Sequence, residues 1–126
     1  MKIEHVALWV KDLEKAKTFY TRHFNGHANR KYTNPKKGFE SYFITFESGA
    51  RLELMHRDGT CKHLSEDHPG WAHIAFSLGS KEAVDVKTKA LTEAGHPLYE
   101  GPRTTGDGYY ESVIGDPDGN RVELTV

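Results

Sequence analysis

Gly119-Asn120-Arg121-Val122-Glu123-Leu124 repeats, almost letter for letter, the earlier stretch Gly49-Ala50-Arg51-Leu52-Glu53-Leu54. A second pair of matches lies upstream of each: His5-Val6-Ala7-Leu8 in the first half and His73-Ile74-Ala75-Phe76 in the second. The histidine precedes its glutamate by 48 positions in one half (5 to 53) and by 50 in the other (73 to 123). Working outward, both halves give the same order of elements, which marks an internal duplication. The first half reads as a strand over 2–10, a helix over 12–24 and strands over 27–33, 39–47 and 50–57. Asp12 is the helix N-cap, and Leu13, Ala16, Phe19, Tyr20 and Phe24 recur at helical spacing on its buried side. The second half reads as a strand over 71–78, a helix capped by Ser80 and stopped at Gly95, and strands over 96–103, 109–115 and 120–126. Ala83, Val84, Val86, Ala90, Leu91 and Ala94 are the expected core contacts of that second helix. Asp116-Pro117-Asp118-Gly119 is a turn signal ahead of the last strand. The expected fold class is therefore α+β: a single domain over 1–126, built from two βαβββ modules (1–57 and 71–126) joined by a polar linker over 58–70.

The period of two along a strand fixes which side chains share a face. Val6, Leu8 and Val10 oppose His5, Ala7 and Trp9, and Leu52 and Leu54 oppose Arg51, Glu53 and Met55. In the second half Ile74, Phe76 and Leu78 oppose His73, Ala75 and Ser77, while Val122, Leu124 and Val126 oppose Arg121, Glu123 and Thr125. Each of these strands has one apolar face suited to helix packing and one mixed face carrying a histidine or a glutamate. Two imidazoles and two carboxylates suit a divalent ion that takes nitrogen and oxygen ligands. His5, Glu53, His73 and Glu123 are thus the candidate metal ligands, and the cofactor is one divalent ion, with nickel, cobalt, zinc or manganese all compatible. Two ionised glutamates and two neutral imidazoles also balance its charge. Arg51 and Arg121 recur on the ligand face, where they either hold the carboxylates by paired hydrogen bonds or reach solvent. His23, His27, His56, His63, His68 and His96 have no counterpart in the other half and read as solvated.

Bulk properties narrow the function classes. The chain has 126 residues, a formal charge of −1 and a pI near 6.7. That balance gives no reason to expect nucleic acid or an anionic membrane as partner. No apolar run approaches the roughly 18 residues a membrane helix needs, and the start at Met1 has no signal-peptide layout. The one cysteine, Cys61, cannot form an intrachain disulfide and reads as an inconsequential loop residue. These features lead us to expect a cytoplasmic protein with neither nucleic acid nor a membrane as partner.

The duplicated βαβββ order, His5-Val6-Ala7-Leu8, Trp71-Ala72-His73-Ile74-Ala75-Phe76 and above all Asp116-Pro117-Asp118-Gly119-Asn120-Arg121-Val122-Glu123-Leu124 resemble the vicinal oxygen chelate superfamily. That group includes glyoxalase I, fosfomycin-modifying enzymes, extradiol dioxygenases, methylmalonyl-CoA epimerase and bleomycin-binding proteins. The resemblance covers nearly the whole chain and implies curved mixed sheets around a metal-binding cavity. A glutamate from each half is similar to glyoxalase I, also called lactoylglutathione lyase. By that resemblance Glu123 is the catalytic base and Glu53 its ligand counterpart, and the protein is a homodimer. The implied reaction converts the hemithioacetal of a 2-oxoaldehyde and a thiol to a 2-hydroxyacyl thioester, as in methylglyoxal detoxification. Relatives commonly carry an arginine four positions after the first histidine and an asparagine four after the first glutamate, both contacting glutathione. This chain has Trp9 and Arg57 there, so the chemistry carries over better than the thiol. The alternatives are another metal-dependent enzyme, such as a thiol transferase acting on an antibiotic, and a resistance protein that binds a small molecule without turnover. Tyr32, Phe39, Tyr42, Tyr109 and Tyr110 read as core and rim aromatics near the expected loops Asn34-Pro35-Lys36-Lys37-Gly38 and Thr104-Thr105-Gly106-Asp107-Gly108.

Overall fold

The structure is a computed structural model, and it describes residues 4–47, 49–59, 71–106 and 108–126. The chain divides into two compact units, Met1–His63 and Leu64–Val126. Cys61, His63, His68 and most of the expected linker lie outside the described residues.

The first unit runs β1 (His5–Trp9), α1 (Leu13–Phe24), β2 (His27–Ala28), β3 (Tyr32–Asn34), a 3-10 turn (Pro35–Lys37), β4 (Phe39–Thr45) and β5 (Arg51–Arg57). Its sheet has the order β1-β5-β4-β2, with β3 also pairing β4. β1 and β5 are parallel, an arrangement that needs a long crossover, and α1 supplies its helix. Asp12 caps α1 as expected, its carboxylate accepting the Lys15 N–H at 2.9 Å. The expected single strand over 27–33 is in fact two. Asn29 occupies the break: its side-chain oxygen accepts the Phe43 N–H at 2.8 Å, satisfying a donor that a continuous ladder would have used. Leu13, Ala16, Phe19 and Tyr20 of α1 pack with Val10, Ile44, Leu52 and Leu54 as the core, whereas Phe24 is only half-buried. Removing one such side chain to alanine costs about 2–5 kcal/mol in transfer and cavity terms.

The second unit runs β6 (Ile74–Ser77), α2 (Lys81–Glu93), β7 (Leu98–Thr104), β8 (Tyr110–Gly115) and β9 (Arg121–Thr125), with sheet order β6-β9-β8-β7 and β6 parallel to β9. Ser80 caps α2 by accepting the Ala83 N–H at 3.1 Å, and Gly95 follows with φ +90°, a conformation that favours glycine. The expected buried stripe of α2 needs correction. Val86, Ala90 and Ala94 are exposed, and the buried positions are Val84, Thr88 and Leu91, spaced i, i+4, i+7. Counting apolar residues misses Thr88 because it is polar. Its hydroxyl is satisfied internally, donating to the Val84 carbonyl at 2.7 Å and pairing with Ser112 Oγ at 2.6 Å. Asp116 organises the turn before β9: its carboxylate accepts the Asp118 and Asn120 backbone N–H groups and the Asn120 side-chain amide, each at 2.9 Å. That turn sets the start of β9, and so the register that carries Glu123.

Among the described residues no helix is long and apolar enough to cross a membrane.

Candidate metal centre

Strand pairing puts each glutamate diagonally across from its histidine, by the same offset in both units. Glu53 lies opposite Ala7, two positions on from His5, and Glu123 lies opposite Ala75, two positions on from His73. The alanine between is what lets the pair meet. Its methyl leaves the face open, and long side chains on diagonal positions then reach each other. His5 Nε2 is 3.9 Å from Glu53 Oε2, and His73 Nε2 is 3.4 Å from Glu123 Oε2. Val6, Leu8 and the buried Leu52 and Leu54 turn to the other face in the first unit, as do Val122 and Leu124 in the second. His73 stands one residue ahead of β6, which is shorter than the expected 71–78, yet the alternation still carries it onto the glutamate's face.

Electrostatics single these carboxylates out. Each glutamate side chain is only 16% exposed, and among the described residues its one ionic neighbour is the histidine of its own unit. The two arginines do not hold them. Arg51 instead pairs with Glu4, its Nε donating to Oε1 at 2.7 Å, and its guanidinium lies over the Phe43 ring. Arg121 pairs with Glu100 and stacks near Tyr99. The alternative in which these arginines clamp the ligand carboxylates is therefore set aside. Two carboxylates are left removed from most solvent with no lysine or arginine among the described residues, an arrangement that invites a cation.

Two ligand atoms about 2.1 Å from one ion lie about 3.0 Å apart when cis on an octahedron and about 3.4 Å apart on a tetrahedron. The second pair, at 3.4 Å, stands at the tetrahedral spacing, and the first, at 3.9 Å, stands beyond it. Each pair therefore lies near the spacing of two corners of one coordination shell. The described residues supply pairs only: no group of three or more His, Cys, Asp or Glu side chains among them is arranged to hold a metal.

The two pairs differ in their outer partners. His5 Nδ1 donates to Glu4 Oε2 at 2.5 Å, and the His5 ring meets Phe43 edge-on with centroids 5.3 Å apart. The hydrogen bond to His5, and then Arg51, hold the Glu4 carboxyl below the usual carboxylate range. A carboxylate on the distal nitrogen fixes an imidazole's tautomer and orientation, leaving Nε2 free to accept an ion. The residue before His73 is Ala72, and no such partner of His73 is found among the described residues. The repeat offers Glu4 no counterpart, and the Glu-His adjacency is its only sequence signal.

The remaining histidines are not uniformly solvated. His56 Nδ1 bonds the Val10 carbonyl at 3.0 Å, tying β5 to the end of β1. His96 is half-buried, and burial pushes its imidazole pKa down. His23 lies against the Phe19 ring, and His27 is exposed. Of the aromatics, Tyr42 is buried with its hydroxyl donating to Glu14, and the Tyr110 hydroxyl donates to Asp85, whereas Tyr32 and Tyr109 are exposed.

Known proteins with this architecture are many. The uncharacterized protein YqjT of Bacillus subtilis is 28% identical over 97% of this chain and 96% of its own length. Lactoylglutathione lyase of Shigella flexneri is 27% identical over 98% of this chain and 91% of its own. The crystal structure of a glyoxalase family protein from Enterococcus faecalis superposes with a TM-score of 0.83, at 25% identity, covering 99% of this chain and 97% of that one. The paired βαβββ-type modules are those of the glyoxalase-like α+β fold. The family model for the glyoxalase/bleomycin resistance protein/dioxygenase superfamily matches residues 2–124, and to that superfamily the chain belongs.

Proposed function

We propose that this protein is a metal-dependent lyase of the glyoxalase I type, acting on the hemithioacetal of a 2-oxoaldehyde and a thiol. The observation that carries the reading is the duplicated His–Glu diagonal, in which each glutamate is largely buried and has no arginine or lysine partner among the described residues. The likeness over nearly full length to lactoylglutathione lyase supports it. His5, Glu53, His73 and Glu123 would hold one divalent ion, either within one chain or between two copies in a homodimer. When bound, the ion would supply Lewis-acid stabilisation of negative charge developing on the substrate. Glu123 takes the proton from the carbon next to the carbonyl and returns it to the neighbouring carbon. Glu53 and both imidazoles hold position, and Glu4 with Phe43 fixes the His5 ring.

Turnover should be measured with methylglyoxal across several low-molecular-weight thiols and four ions: nickel, cobalt, zinc and manganese. The proposal expects thioester formation with at least one combination, lost in Glu123→Gln. Metal uptake without thioester formation in any combination would overturn it. Trp9 and Arg57, standing where glutathione contacts are common in relatives, favour one second reading, a metal-dependent transferase with a different thiol.

A further inference from the structure

The mixed face of the first sheet carries a second group of side chains beyond the His5–Glu53 pair. Trp9, Met55, Ser41 and Tyr32 form one cross-strand row, and Arg57 pairs with Phe39 in the next. Since directly paired residues share a face, these rows lie on the same side of the sheet as Glu53. At about 3.3 Å of rise per residue, the Trp9 row lies about 7 Å from Glu53 along the strand and Arg57 about 13 Å. Trp9 and Phe39 meet edge-on at 6.2 Å, and Tyr32 lies 6.1 Å from Phe39. The Arg57 guanidinium lies over both rings, 5.3 Å from the Trp9 centroid and 5.9 Å from that of Phe39.

Two features separate this group from ordinary core. Trp9 is 47% exposed and Tyr32 53%, so the aromatic wall is open rather than packed away. Arg57 makes ring contacts only and has no carboxylate partner among the described residues, unlike Arg51, Arg103 and Arg121, which all have one. The rings flank the exposed guanidinium, and its donors have no carboxylate partner among the described residues. A guanidinium so flanked can match a carboxylate bidentately, while the adjoining rings match a flat apolar body.

We propose that Trp9, Phe39, Tyr32 and Arg57 form a binding site for organic carboxylates with an aromatic or extended apolar body, the carboxylate on Arg57 and the body along Trp9 and Phe39. Its assignment as the arm that selects the substrate rests on the lyase reading above. On that reading the substrate carries its carboxylate on Arg57, about 13 Å along the strand from Glu53.

The test uses the 126-residue chain in a Trp71→Phe background, which leaves Trp9 as its single tryptophan. Quenching of Trp9 fluorescence is titrated with 3-phenylpropanoate, 3-phenylpropanamide and acetate. Both chelator-treated and metal-loaded protein are used, so that carboxylate binding to an ion is told apart from binding to Arg57. The proposal expects saturable binding of 3-phenylpropanoate in chelator-treated protein, at least tenfold tighter than the amide or acetate. Arg57→Gln should lose about tenfold for the acid and nothing for the amide, and Arg57→Lys should recover part of the loss. A matched circular dichroism melt establishes that each variant is folded. Equal binding of acid and amide, undiminished acid binding in Arg57→Gln, or no saturable quenching would overturn the proposal. The two ideas fail separately: without metal uptake but with Arg57-dependent acid binding, the lyase reading falls and this site stands. The reverse pattern removes the site and leaves the lyase reading.

Discussion

Replacing Glu4 by glutamine tests whether His5 is a prepared ligand. In the folded chain Glu4 Oε2 accepts a hydrogen bond from His5 Nδ1–H at 2.5 Å, while Oε1 accepts from Arg51 Nε at 2.7 Å and from its terminal nitrogen at 2.5 Å. Glutamine retains a single acceptor oxygen and turns the other position into a donor, so it cannot serve both neighbours. Loss of the outer partner of a ligating histidine costs about 10–100-fold in metal affinity. Glu4 is 55% exposed, so water replaces part of what is lost, and the expected effect lies at the low end, about tenfold. The assay is competition for Zn²⁺ against a chromophoric chelator, with wild type, Glu4→Gln and Arg51→Gln measured side by side. Arg51→Gln should weaken binding less than Glu4→Gln, because it leaves the His5 contact in place. The second unit offers the converse: Ala72→Glu supplies His73 with the partner it lacks and should tighten binding. Unchanged affinity in a folded Glu4→Gln variant would refute the argument that Glu4 prepares His5.

Glu123→Gln should lower turnover about 10²–10⁴-fold at saturating metal, whereas Glu53→Gln, with the base retained, should lose less once metal is in excess; steady-state rates under saturating metal compare them. Mixing His5→Ala with Glu123→Gln protein should restore activity if half-sites from two chains complete one centre, and should restore nothing if each chain builds its own. Glu14 is held down at about 2 by hydrogen bonds from Lys17, then Lys31 and Tyr42. A carboxylate with a depressed folded pKa contributes stability above its unfolded value, so this contribution should fade as pH falls from about 4.5 towards about 2. Glu14→Gln should therefore cost about 1 kcal/mol at neutral pH, a value reduced because Glu14 is half-exposed, and close to nothing near pH 2; urea melts at the two pH values read the difference.

Much of this was legible in the chain because a duplicated pattern carries its own control. The alternation that sends Leu52 and Leu54 inward sends Glu53 to the other face, and the same holds for Glu123 between Val122 and Leu124. Caps at Asp12 and Ser80 are local chemistry, and they stand where side chain and spacing put them. What escaped was set by partners distant in sequence. Asn29 breaks a strand through a bond to Phe43, and Thr88 enters the core because Ser112 waits across from it. Arg51 and Arg121 share a position in the repeat yet turn to Glu4 and Glu100, neither of which the repeat marks. Arg57 stands out in the sequence as a departure from glutathione-binding relatives, but its place beside Trp9 and Phe39 depends on strand register, which sequence spacing alone does not fix.

The most direct test of the central claim is the metal content of the purified chain after loading and exhaustive dialysis, read by elemental analysis. The account predicts close to one divalent ion per chain in wild type and almost none in a folded His5→Ala/His73→Ala variant, with a chelator-sensitive melting temperature only in the former. Wild type that takes up no ion, or a double variant that takes up as much as wild type, would contradict it.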